Sequence, residues 1–191
     1  MSTRWFRLGL LGAFLLQTAL LAWMIVDRAL LLRNGTEVRL SVRPVDPRDL
    51  LRGHYVILSY PISTIRTDEV GGDEDFDYYD PIYVTLAEAG ETWQAVSIHH
   101  EPPGEGVYLK GTVERPYRRD ADTCRDGAAC QELGITYNLE QFFVPEGEGR
   151  DLERLRNDQR MSVDVAVASG GRAALKRLLV DDVVRYEESL Y

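Results

Sequence analysis

Lysine, histidine and cysteine are all scarce in this 191-residue chain, which has two lysines (Lys110 and Lys176), three histidines and two cysteines. Two cysteines cannot hold a disulfide-rich scaffold together, and with so few histidines they cannot build a structural zinc site. Positive charge is also short. Against 31 Asp+Glu stand 22 Lys+Arg, a balance of −9 that excludes a nucleic-acid partner recruited through a basic surface. The sequence has no phosphate-binding loop, dinucleotide fingerprint or Gly-x-Ser-x-Gly elbow. No cofactor is therefore expected. It also lacks an internal repeat and a Pro/Gly/Ser-rich linker, so a single folded domain is expected behind whatever precedes it.

What precedes it is a long apolar run. Mean hydropathy over the whole chain is only −0.25, an average that conceals residues 6–26, where Arg7 is the one charged side chain. Between Leu8 and Val26 only Gln17 is strongly polar. As a helix those residues span about 28 Å, the thickness of a bilayer's hydrocarbon core. Trp5 and Trp23 lie near the ends, where amphipathic rings favour the interface. The run is longer than a signal-peptide core, its end lacks a small-x-small cleavage pattern, and no cysteine follows for lipoprotein processing. An uncleaved anchor, residues 1–33 with a short stalk, is expected, bound to the lipid bilayer through residues 6–26. Basic residues are nearly balanced across its ends, with Arg4 and Arg7 against Arg28 and Arg33. The economical topology is a short cytoplasmic stub and an extracytoplasmic domain, residues 34–191, in a bacterial inner membrane.

Strand patterns dominate that domain. Val38, Leu40 and Val42 alternate with Arg39, Ser41 and Arg43, the period of a half-buried strand. Residues 55–60, 82–86, 93–98, 107–113 and 137–144 are similarly rich in β-branched and aromatic residues. Residues 161–168 alternate well, and Ser169-Gly170-Gly171-Arg172 turns the chain into another strand over 173–180. Leu152 and Leu155 mark a short helix within 149–158. The expected fold is mainly β, a small antiparallel barrel or sandwich with one short helix, behind a single transmembrane helix.

The stretch Gly53-His54-Tyr55-Val56-Ile57-Leu58-Ser59-Tyr60 resembles the eight-residue signature that names the GDYXXLXY family of bacterial membrane-anchored proteins. The preceding Asp46-Pro47-Arg48-Asp49-Leu50-Leu51-Arg52 and the later block from Tyr137 to Gly149 are similar to that family as well. The resemblance implies a location and an architecture rather than a reaction, and it implies a polytopic membrane protein as partner. It marks Gly53, His54, Tyr55, Leu58, Tyr60 and Glu146 as candidate binding residues. His54 stands where the family has Asp. A carboxylate acting as nucleophile or metal ligand would not survive that exchange, whereas a turn-capping side chain would. The octet is therefore read as a structural motif, with Leu58 and the tyrosines setting strand register.

Other candidates compete with plainer readings. Asp73, Asp75 and Asp77 have the first-half spacing of a calcium loop, yet Tyr78 and Val84 occupy the glycine and glutamate positions, which rejects an EF-hand. The acidic cluster Asp73–Asp80 is either a looser cation site or a solvated, self-repelling loop. His99 and His100 point to opposite faces of a strand and cannot easily share an ion. Cys124 and Cys130 would form a disulfide in an oxidising compartment and free thiols elsewhere. The alternative function is an envelope hydrolase or metal-dependent enzyme, using Lys110 or Lys176 as base, or the Asp73–Asp80 cluster as metal site. Ser41 and Ser59, its candidate nucleophiles, sit within strand patterns without a nucleophile turn. An accessory or binding module is the preferred expectation.

Overall fold

A run that is apolar on every side has no polar face to turn outward, and its backbone can satisfy itself only as a helix. In the computed structural model, which describes residues 3–43, 55–125, 127–143 and 161–188, helix α1 spans Thr3–Asn34. Its part from Arg7 to Asn34 is long and apolar enough to cross a membrane, with a mean hydropathy of 2.0 over its most apolar window and none of that window buried. The helix stops at Gly35, whose N–H donates to the Leu31 carbonyl at 2.9 Å. Nothing larger fits there. A Cβ at position 35 would lie 2.7 Å from the Leu31 carbonyl oxygen and 2.9 Å from the Val167 nitrogen.

Among the described residues twelve strands follow: β1 (Thr36–Ser41), β2 (Tyr55–Ile57), β3 (Thr64–Arg66), β4 (Gly71–Gly72), β5 (Pro81–Ala89), β6 (Thr92–His99), β7 (Val107–Arg119), β8 (Cys130–Thr136), β9 (Gln141–Phe143), β10 (Met161–Val167), β11 (Ala173–Val180) and β12 (Val183–Glu187). They form a four-stranded sheet in the order β1-β10-β11-β12, a six-stranded sheet in the order β3-β8-β7-β5-β6-β4, and the pair β2-β9. Every pairing is antiparallel except β4 with β6. The fold is mainly β behind one N-terminal helix, as the alternation predicts. One apolar core is shared by the sheets. Val38 faces Val165 and Leu40 faces Val163 across β1 and β10. Ile82, Val84, Leu109 and Leu133 meet them from the six-stranded sheet, all fully buried.

The strand expected over 137–144 is displaced. Pairing occupies β8 just before it and β9 at its end, and Asn138 between them takes φ 59°, a left-handed conformation that ends a strand. β7 also runs further than expected, passing Pro116 by a register shift between Val113 and Arg115. The helix expected over 149–158 lies outside the described residues.

β10 is buried on both faces. Val163, Val165 and Val167 point into the core, while Asp164 and Ala166 on the opposite face are also covered. The cover over Ala166 is the end of α1: Leu32, only 3% exposed, packs with Ala166 and Ala174, and Leu31 adds to the contact. Two ion pairs flank this contact. Arg172 donates both terminal nitrogens to Asp27, at 2.7 and 3.1 Å, and Arg28 pairs with Glu188 at 3.2 Å. The end of α1, where a short stalk is expected, thus packs on the four-stranded sheet through Leu31 and Leu32.

Candidate functional site

The second half of the octet is pulled inward by alternation. Leu58 and Tyr60 are buried to 1% and 0% exposure. A phenol so placed must find an acceptor, and the Tyr60 hydroxyl donates to the Leu139 carbonyl at 2.6 Å. The reciprocal bond runs the other way: Tyr137 donates its hydroxyl to the Ile62 carbonyl, also at 2.6 Å. Leu58 N–H donates to the Glu140 carbonyl at 2.8 Å, and β2 pairs with β9, Tyr55 opposite Phe143. The two sequence blocks are thus one seam. Burial first, and the Glu140 charge second, push both phenols well above their ordinary range. Gly53, His54 and Glu146 lie outside the described residues, and Tyr55 is described only through its strand pairing.

Beside the seam opens a cavity of about 560 Å³, lined among others by Ser59, Ser63, Glu114, Arg115, Glu132 and Glu140. Its polar groups already have work within the fold. Glu140 accepts the Tyr137 N–H at 2.6 Å, Ser63 Oγ accepts the Tyr60 N–H at 3.3 Å, and Glu132 pairs with Arg119. Three carboxylates against the Arg115 guanidinium suit recognition of a polar or cationic surface. Neither lysine of the chain lines it, so it offers no Ser–Lys pair.

The GDYXXLXY protein family model matches residues 17–178. This chain belongs to the GDYXXLXY family. The match begins within α1 and ends within β11, so the family extends from the middle of that helix through the octet and into the four-stranded sheet. No curated protein and no solved structure matches the chain.

Elsewhere in this GDYXXLXY chain the sequence-derived candidates are dispersed. Lys176 is held by Glu37 on the outer face of the four-stranded sheet. Lys110 sits on β7 with its ammonium 5.8 Å from the Tyr83 ring centroid. The acidic residues turn to separate partners: Asp73 accepts the His100 N–H at 2.8 Å, Asp75 pairs with Arg118 at 3.3 Å, and Asp80 accepts the Asp77 N–H at 2.8 Å. His99 contacts Ser97 Oγ at 2.9 Å, whereas the His100 ring stacks on Phe76 with centroids 4.1 Å apart. Cys124 and Cys130 are joined in a disulfide, S–S 2.09 Å. Asp68 lies beside it and accepts hydrogen bonds from the Arg125 N–H and from Arg66, which hold its carboxyl below the usual range.

Two features were invisible to sequence reasoning. Gln131, buried at 6% exposure, clamps Phe76 by accepting its N–H at 2.9 Å and donating to its carbonyl at 3.1 Å, which ties the acidic loop down. The junction of α1 with the sheets also holds a cavity of about 400 Å³ lined, among others, by Asp27, Arg28, Lys110 and Arg172. These residues are far apart in sequence, and no spacing rule joins them.

Proposed function

We propose that this GDYXXLXY protein is a bacterial envelope protein anchored by α1, and that its β domain is an accessory module docking on another integral membrane protein. The observation that carries this reading is the end of α1: the helix runs unbroken from its apolar stretch into the packing of β10 and β11. A removable signal would have no reason to be built into the outer face of a sheet. The Cys124–Cys130 bond supports an oxidising, extracytoplasmic location for the domain. The seam cavity, open and lined with carboxylates beside the family's own signature, is the docking face we favour.

Site-specific photocrosslinking in native membranes tests the reading. A photoreactive residue at Ser59 or Thr136, at the cavity, is expected to give one discrete protein adduct, weakened by Glu140→Lys. The same probe at Gln94, on the far strand β6, should give none. Adducts to lipid alone, or the same adducts from all three positions, would sink the proposal.

A further inference from the structure

The apolar run of α1 ends at Val26, and the next two residues, Asp27 and Arg28, already line the cavity at the helix–sheet junction. If the run spans the hydrocarbon, this cavity stands at the level of the lipid headgroups on that side. Its other walls come from β7, from Tyr137 and Asn138 after β8, and from Arg172 and Ala173 where the turn after β10 enters β11. β7 and that turn are fixed to each other. Lys110 N–H donates to the Gly171 carbonyl at 2.8 Å, and Tyr108 donates its hydroxyl to the Ser169 carbonyl at 2.6 Å. Gly171 has φ +77°, and a Cβ there would lie 2.8 Å from the Tyr108 ring and 2.9 Å from the Lys110 nitrogen. The recess is therefore built on a fixed frame, the Lys110 backbone being tied to the turn that carries Arg172.

Its charge is unbalanced. Arg28, Lys110 and Arg172 face one carboxylate, Asp27. Arg172 spends its two terminal nitrogens on Asp27, and Arg28 has Glu188 as a partner outside the lining. Lys110 makes no ion pair among the described residues; its ammonium is exposed above the Tyr83 ring. A cationic recess opening at headgroup level is complementary to a phosphodiester that carries no compensating cation of its own.

We propose that this recess receives the phosphate of an anionic phospholipid headgroup, with Lys110 as its principal contact and Arg172 and Arg28 flanking it. The inference rests on α1 being membrane-inserted.

Full-length protein reconstituted in phosphatidylcholine vesicles, with spin-labelled phosphatidylglycerol or spin-labelled phosphatidylcholine as probe, tests it by the relative association of the two lipids with the protein. Wild type should prefer phosphatidylglycerol. Lys110→Gln should lower that preference by about fivefold, the effect of one interfacial basic residue. Asp27→Asn should raise it, because Arg172 is released toward the lipid. Arg118→Gln, on the exposed end of β7, should leave it unchanged. Equal association of both lipids with wild type, or an unaltered preference in Lys110→Gln, overturns the proposal. Loss of the preference on adding inorganic phosphate overturns the lipid source in favour of free phosphate. Failure of the protein to float with either vesicle overturns the anchor reading together with this one, whereas flotation without preference overturns this one alone.

Discussion

Tyr60 and Tyr137 are the two side chains on which the family's sequence blocks meet. Each closes its hydrogen bond on a carbonyl of the other's neighbourhood, Leu139 for one and Ile62 for the other. Removing either hydroxyl leaves a buried acceptor unpaired, which costs about 1–2 kcal/mol. Tyr60→Phe and Tyr137→Phe should each lower the free energy of denaturant unfolding by that amount, measured on the full chain in micelles. The same phenols set an alkaline limit. Their folded pKa values are raised, so their contribution is fully present below about pH 10, where unfolded tyrosine begins to ionise, and falls as pH rises further. The tyrosinate absorbance lost from wild type in Tyr60→Phe and Tyr137→Phe should therefore appear together with unfolding rather than ahead of it. Asp68 acts at the opposite extreme. Its carboxyl is held down by the Arg125 N–H and by Arg66, so its stabilisation is present above the ordinary aspartate range and is lost as pH falls through its folded value. Thermal melts of Asp68→Asn should lie below wild type near neutrality and converge with it in acid.

At the scale of elements, the junction of α1 with β10 and β11 is the contact most sensitive to a small change. Gly35 is hemmed in by backbone atoms on both sides, which no side-chain rearrangement relieves. Gly35→Val should cost on the order of 1–3 kcal/mol and separate the helix end from the sheet. A lengthened distance between spin labels at Arg33 and Ala168 would register that separation. An unchanged distance distribution would show that the helix end is held by its ion pairs instead. The disulfide works over a shorter range. Closing a loop of this size stabilises by about 2 kcal/mol in the chain-entropy account, so Cys124→Ser with Cys130→Ser should lower the melting temperature while leaving the anchor junction intact. Strand legibility followed the same local logic. β1, β10 and β11 announced themselves through strict alternation and the Gly170-Gly171 turn. β12 did not, because the turn before it is built from Asp181 and Asp182, both at positive φ without glycine. β8 was hidden because its alternating residues merge with Tyr137, and only the left-handed Asn138 separates it from β9.

Over the whole molecule, what the sequence conceals is what the chain assembles from distant parts. The long apolar helix and the β class rest on composition and periodicity within a few residues, and were legible. The pairing of Tyr60 with Leu139, the clamp of Gln131 on Phe76 and the recess around Lys110 each join residues separated by 55 or more positions, and no local pattern encodes them. Deleting residues 1–33 takes Leu31 and Leu32 from the outer face of the four-stranded sheet and bares Ala166 and Ala174. That truncated chain should bind an apolar dye and aggregate at concentrations where the full chain in micelles stays monodisperse; light scattering decides between the outcomes.

The rigid junction also bears on how fast and how tightly the domain can find a partner. A domain on a flexible tether must lose its tumbling when it docks, and that loss weakens association. Here Leu32, Gly35 and the Asp27–Arg172 and Arg28–Glu188 pairs make the domain turn with its helix. In the membrane-anchored state proposed above, its search for a partner reduces to sliding and spinning about one axis, with the same face always presented at the same height. Orientation is thus settled before encounter, and even a small contact area can yield a specific complex.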